Sequence, residues 1–165
     1  MSIKSYSNIE TSRKFAITSS TDGDHDGDIV YFGDTAEMVI GTIYHYVPDA
    51  EAATGVVWAL ADADAVATGA SQLLAIAGGA NPEEVGDGGM LLKGFYRVAS
   101  GNIEGTAVIG APAYVSEVLG KFDFTAPSGT GDFVRIVGYC IDYHTDGNGD
   151  VLIYFDPDKT WVVVA

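Results

Sequence analysis

Residues Gly105–Ala165 read GTAVIGAPAYVSEVLGKFDFTAPSGTGDFVRIVGYCIDYHTDGNGDVLIYFDPDKTWVVVA, and this stretch decides the fold. Short apolar runs alternate in it with Gly, Pro, Asp and Asn. Such runs are too short for helices and are bounded by turn chemistry, so they read as strands of a meander. Ala113–Val115, Phe122–Thr125, Phe133–Tyr143, Val151–Phe155 and Trp161–Ala165 are the expected strands, with a brief one at Thr106–Ile109 broken by Gly110 and Pro112. Phe133–Tyr143 is apolar almost throughout and is expected to be buried on both faces. Asp146-Gly-Asn148-Gly-Asp150 joins it to Val151–Phe155, and Asp-Gly and Asn-Gly pairs between apolar runs signal a hairpin turn. DPDKT, with Pro157 at its second position, reads as a type I turn.

Working toward the N-terminus, the same grammar repeats. Gly89–Ala99 (GMLLKGFYRVA) is the best strand of the middle, and Gly94 at its centre predicts a bulge or a close backbone approach. Asn81-Pro-Glu-Glu-Val-Gly86 has the signals of a single helical turn: Asn as N-cap, Pro next, acids in the first turn and Gly as stop. Ser71–Ala77 fits a strand or a short helix, and its length and the flanking Gly78 and Gly79 favour strand. Gly55–Ala61, Met38–Val47 ended by Pro48, Asp28–Phe32 and Arg13–Thr18 complete the set. The expected fold class is all-β: a single β-barrel or β-sandwich of about ten short, mainly antiparallel strands. Residues 13–165 form that one domain. Residues 1–12 are polar with isolated Ile3, Tyr6 and Ile9, and read as an extended arm whose apolar residues dock on a neighbour in an assembly.

The formal net charge is −15, which disfavours nucleic acid and anionic membrane as partners, because both are bound through clustered Lys and Arg. No run reaches the length of a membrane helix and no export signal is visible, so synthesis in a cytoplasm is expected. Cys140 is the only cysteine, so an intrachain disulfide is impossible, and its apolar neighbours make it a core residue.

Candidates for chemistry are few. Asp22-Gly-Asp24-His-Asp26-Gly27-Asp28-Ile29 matches the first part of a calcium loop, with acids at alternate positions and Gly at the sharp turn. Its twelfth position is Gly33 where a Glu is needed, and its flanks read as strands. The expectation is therefore a solvated acidic loop and no metal, with Asp22, Asp24 and Asp26 as the residues that would ligate calcium. His25, His45 and His144 have no zinc spacing, and His45, between Tyr44 and Tyr46, reads as a strand surface residue. Ser128-Gly-Thr-Gly131 lacks the following helix and Lys of a phosphate cradle. No catalytic residues and no cofactor are expected.

From Met90 onward the chain resembles a module of tailed-phage structural proteins. The residues that carry the likeness are Met90-Leu-Leu-Lys-Gly-Phe95, Gly110-Ala-Pro-Ala-Tyr-Val-Ser116, Gly120-Lys-Phe122, Ala126 through Tyr139, and Ile153-Tyr-Phe-Asp-Pro-Asp-Lys-Thr-Trp-Val162. They look like the small β-rich decoration, or cement, proteins of phage heads. The resemblance implies a non-enzymatic virion protein, made in the host cytoplasm and bound outside the capsid to the major capsid protein, often as a homotrimer. The arm would add a strand to a neighbour. Two other classes compete with it. A head-fibre or tail-fibre domain would carry exposed aromatics that bind a receptor or glycan. A small β-barrel enzyme or ligand binder would need polar groups converging in a pocket.

Overall fold

The computed structural model describes residues 25–33, 37–48, 55–84, 88–143 and 149–165. The arm with Ile3, Tyr6 and Ile9, the strand expected at Arg13–Thr18, and Asp22 and Asp24 lie outside the described residues. So does most of the turn around Asp146 and Asn148.

The described chain is all-β. In order it forms β1 (His25–Val30), β2 (Ile43–Pro48), β3 (Val56–Leu60), β4 (Leu74–Ala77), β5 (Met90–Val98), β6 (Ile103–Glu104), β7 (Pro112–Val115), β8 (Phe122–Asp123), β9 (Phe133–Val134), β10 (Ile136–Tyr143), β11 (Val151–Phe155) and β12 (Val162–Val163). Two short 3-10 turns, Val66–Thr68 and Ser100–Asn102, supply the helical content. No helix of the described residues is long and apolar enough to cross a membrane. Every pairing is antiparallel except β6 with β8.

Strand β5 organises the sheet. A strand has two edges, so a residue with two partners has one on each. Leu91 pairs with Ile29 of β1 and Ile76 of β4, while Phe95 pairs with Asp26 of β1 and Tyr154 of β11. Hence β1 runs along one edge of β5, and β4 and β11 share the other. The sheet forks there. One branch is β4-β2-β3 and the other is β11-β10-β7-β8-β6. The curled sheet as a whole forms a half-barrel.

Loops lace the far ends of the branches together. Ile43 N–H donates to Gly120 O at 2.8 Å, and Gly120 N–H donates to Ala61 O at 2.7 Å. The main core lies between the branches: Ile43, Leu74, Ile76 and Leu91 from one side, Val115, Phe122, Phe133, Val137, Cys140, Ile153 and Phe155 from the other. A second cluster covers the outer face of the first branch. There Trp58 packs against Tyr46 at 4.7 Å and Phe32 at 5.6 Å between ring centres, and its Nε1 donates to Phe32 O at 2.7 Å. Strand β4 sits between the two clusters. Leu74 and Ile76 enter the main core while Ala75 and Ala77 enter the outer one, so its continuous apolar run has no free face.

The strand expected to be buried on both faces, Phe133–Tyr143, is different. It is broken at Arg135, and Tyr139 and Tyr143 are exposed. Arg135 is buried and donates to Gly69 O at 2.6 Å, Gln72 O at 2.8 Å and Asp158 O at 2.7 Å. A guanidinium's fork suits three carbonyls, and Arg135 stands where the chain passes from the β9–β12 pair to the β10–β7 ladder. The brief strand expected at Thr106–Ile109 is absent. Ala111 N–H donates to Val108 O, making a turn that Gly110 permits at φ 84°. Met38–Val47 becomes a strand only from Ile43, after a turn at Gly41 with φ 78°. Asn81 accepts from Glu83 N–H at 3.0 Å as an N-cap would, yet residues 82 and 83 form a turn and no helix.

Gly94 meets its expectation. It pairs with Gly27 across the β1–β5 edge, and the register slips between Asp28 and Ile29, leaving Leu92 without a partner on β1. One extra residue turns the following side chains to the opposite face, so Leu91 before the bulge and Tyr96 and Val98 after it all reach the main core. A Cβ on Gly94 would stand 2.1 Å from Asp26 O, with φ at +146°. Gly94→Ala is expected to destabilise the protein by about 3 kcal/mol in urea unfolding, from backbone overlap and strain. Gly101→Ala, with nothing within 4 Å of the new Cβ, is expected to stay within about 0.5 kcal/mol of wild type.

Candidate functional site

Three acids from distant parts of the chain meet at one end of the half-barrel. Asp64 follows β3, Glu117 begins the β7–β8 hairpin, and Asp132 precedes β9. Each offers a carboxylate oxygen, and the three oxygens lie within 4.8 Å of one another. Main-chain bonds one residue away bring them together. Ala63 N–H donates to Ser116 O, and Phe133 N–H donates to Ala63 O, each at 2.9 Å. The neighbours of the three acids are thus tied into one chain of hydrogen bonds, and convergence is a product of the fold.

Each acid is further held. Ser128 N–H donates to Glu117 Oε1 at 3.0 Å, and Asp64 N–H to Asp62 Oδ1 at 3.0 Å. Asp132 N–H donates to Gly129 O, and Val164 N–H donates to Asp132 O. Asp64 and Glu117 are exposed, but Asp132 is only 7 % exposed, and its Oδ2 has no hydrogen-bond partner among the described residues. The loop over it comes so close that a Cβ on Gly129 would sit 2.5 Å from that oxygen. Burial, then the neighbouring Glu117, raise the Asp132 carboxyl above its ordinary value. The Ser128 N–H, then Asp132, lower that of Glu117. Burial, then Asp62 and Glu117, raise that of Asp64.

A second feature is a shallow groove of about 260 Å³ over the Gly27–Gly94 pair, lined by Asp26, Asp28, Lys93, Phe95 and Tyr154. The two glycines leave bare backbone at its floor. Phe95 and Tyr154 pack at 5.0 Å beside it, and Lys93 reaches Asp156 at 2.9 Å. A third feature is apolar exposure at turns and edges: Val108 at 58 %, Ile109 at 57 %, Leu119 at 53 % and Val162 at 63 %. The turn bearing Val108 and Ile109 is pinned beside exposed Tyr139, because Gly110 N–H donates to Cys140 O and Cys140 N–H to Ala111 O.

Of the calcium-loop candidates, Asp26 lies on β1 opposite Phe95 and is exposed. The described acids that do converge carry no spacing motif. Each reads in sequence as a surface acid, and only the Gly129 and Gly131 flanking Asp132 hint at a special loop. Comparison with protein-family models, with curated proteins and with solved structures finds no match for this chain.

His45 corrects a surface expectation. It is 4 % exposed, on the face of β2 that carries Ile43, and burial lowers its pKa from 6.5. A base with a lowered folded pKa takes up its proton more readily when unfolded. Its contribution to stability is therefore complete above the unfolded value and is lost as pH falls below about 6.5. Thermal melts from pH 7.5 to 5 are expected to fall more steeply for wild type than for His45→Gln; parallel curves would assign no titration to this ring.

Proposed function

We propose that this chain is a virion structural protein that decorates the outside of a tailed-phage head. In this reading it acts as a homotrimer, contacts the major capsid protein and stabilises the assembled shell. The observation that carries it is the uncovered apolar surface at Val108, Ile109, Leu119 and Val162 on a protein of net charge −15. Apolar contact suits attachment to a shell whose exterior is itself acidic, where ion pairing would repel. The stretches that resemble decoration proteins support it too. They fall on β5, β7, β8, β9, β10, β11 and β12, which are β5 with most of the second branch and the small β9–β12 sheet. A ligand that binds only the assembled shell stabilises it by mass action.

A second reading draws on the groove at Gly27 and Gly94. Phe95 and Tyr154 beside Asp26 and Asp28 are the residue types of a glycan platform, which a head-fibre or tail-fibre domain would use. The two readings separate by experiment. Purified protein is mixed with heads lacking it, and occupancy is followed by cosedimentation and imaging. The decoration reading expects saturable binding, a trimer in sedimentation, and little loss between low and high salt. Val108→Asp with Ile109→Asp is expected to weaken binding by at least about tenfold, from charge placed in a desolvated contact. Deleting residues 1–12 is expected to abolish attachment. No binding to heads, with binding to host glycans that Tyr154→Ala removes, would replace decoration by the fibre reading.

A further inference from the structure

We propose that Asp64, Glu117 and Asp132 form a calcium site. The donor set is oxygen alone, which selects a hard cation over zinc or copper. Its span is compatible with the ion, since two oxygens that share one calcium at roughly 2.4 Å can be no more than about 4.8 Å apart, and these three lie within 4.8 Å of one another. Three carboxylates held this close repel one another unless a cation or proton lies between them.

A separate observation points to the cation. Asp132 is only 7 % exposed, its Oδ2 is unpartnered among the described residues, and its carboxylate contributes an oxygen to the cluster. An orphaned buried carboxylate oxygen is costly, and a metal ion satisfies it. The ion pairs Lys93–Asp156 and Lys121–Glu104 lie elsewhere, and no Lys or Arg is among the groups that shift the three acids. Gly129 completes the enclosure on the buried side, because any side chain there would collide with Asp132 Oδ2. Exposed Asp64 and Glu117 leave the outer side open to water, which fills the six to eight positions calcium needs. The ion would tie the loop after β3, the β7–β8 hairpin and the loop before β9 into one rigid end. The site requires no particular partner and stands apart from the decoration reading.

The test is calorimetric titration of the chelator-treated full chain with calcium chloride, alongside thermal melts in calcium and in EDTA. One calcium per chain is expected, with Kd on the order of 10⁻⁴ M for a partly open carboxylate site, and melting at higher temperature in calcium. Asp64→Ala removes an exposed side chain and is expected to melt like wild type in EDTA while losing affinity by at least about tenfold. Asp132→Asn is expected to lose binding too, and Glu117→Gln substitutes for it if the buried change prevents folding. Absence of heat and of any melting shift up to about 10 mM calcium would overturn the proposal. Undiminished binding in Asp64→Ala and Glu117→Gln would also overturn it, by placing the ion elsewhere, such as Asp22–Asp28. Tighter binding of magnesium than calcium would overturn the assignment of the metal.

Discussion

The contact of two bare backbones at Gly27 and Gly94 is the constraint on which the sheet depends. Strand β5 must hold β1 along one edge while β4 and β11 divide the other. Two residues from that contact the strand carries a bulge at Leu92, where its register with β1 slips. With the bulge, Leu91 and Tyr96 both point into the main core despite their odd spacing. Without it, Tyr96 and Val98 would point to the face opposite Leu91. The share of the core that β5 supplies depends on this local irregularity.

The second constraint is Arg135. Most buried charges are paired with an opposite charge, but this one is satisfied by three carbonyls from two loops. It fastens the loop after the first 3-10 turn, and the segment after β11, to the start of β10. The buried guanidinium and the chain of bonds through Ala63 lie on either side of β9, the strand between Asp132 and Arg135. Strand β9 is only Phe133–Val134, yet both of its flanking residues are fixed by polar contacts, and Phe133 itself is buried in the core.

Much of the architecture was legible in the amino-acid order, and the reason is local. Strands such as Gly89–Ala99 and Val151–Phe155 combine β-branched and aromatic residues with glycine punctuation, so neighbours along the chain suffice to assign them. Gly94 could be read as an irregular position because glycine in a strand has few other uses. The fork could not be read, since it depends on which edge of β5 each strand chooses. The break at Arg135 was hidden because an arginine in an apolar run says nothing of where its guanidinium goes. His45 was misplaced for the opposite reason: its tyrosine neighbours suggested an amphipathic surface, while the alternation of β2 sends it inward with Ile43. The three converging acids are separated by long stretches of chain, and no periodicity links Asp64 to Glu117. Only the tertiary bonds of Ala63 reveal them.

Cys140 is the sole cysteine and is enclosed in the main core, with burial and then Asp142 pushing its thiol pKa up. Native protein therefore offers almost no thiolate to reagents in solution. That makes the chain a quiet background for chemical tagging. A cysteine introduced at an exposed tip such as Leu119 would take up a fluorophore or a heavy atom there alone, with no need to remove the natural one.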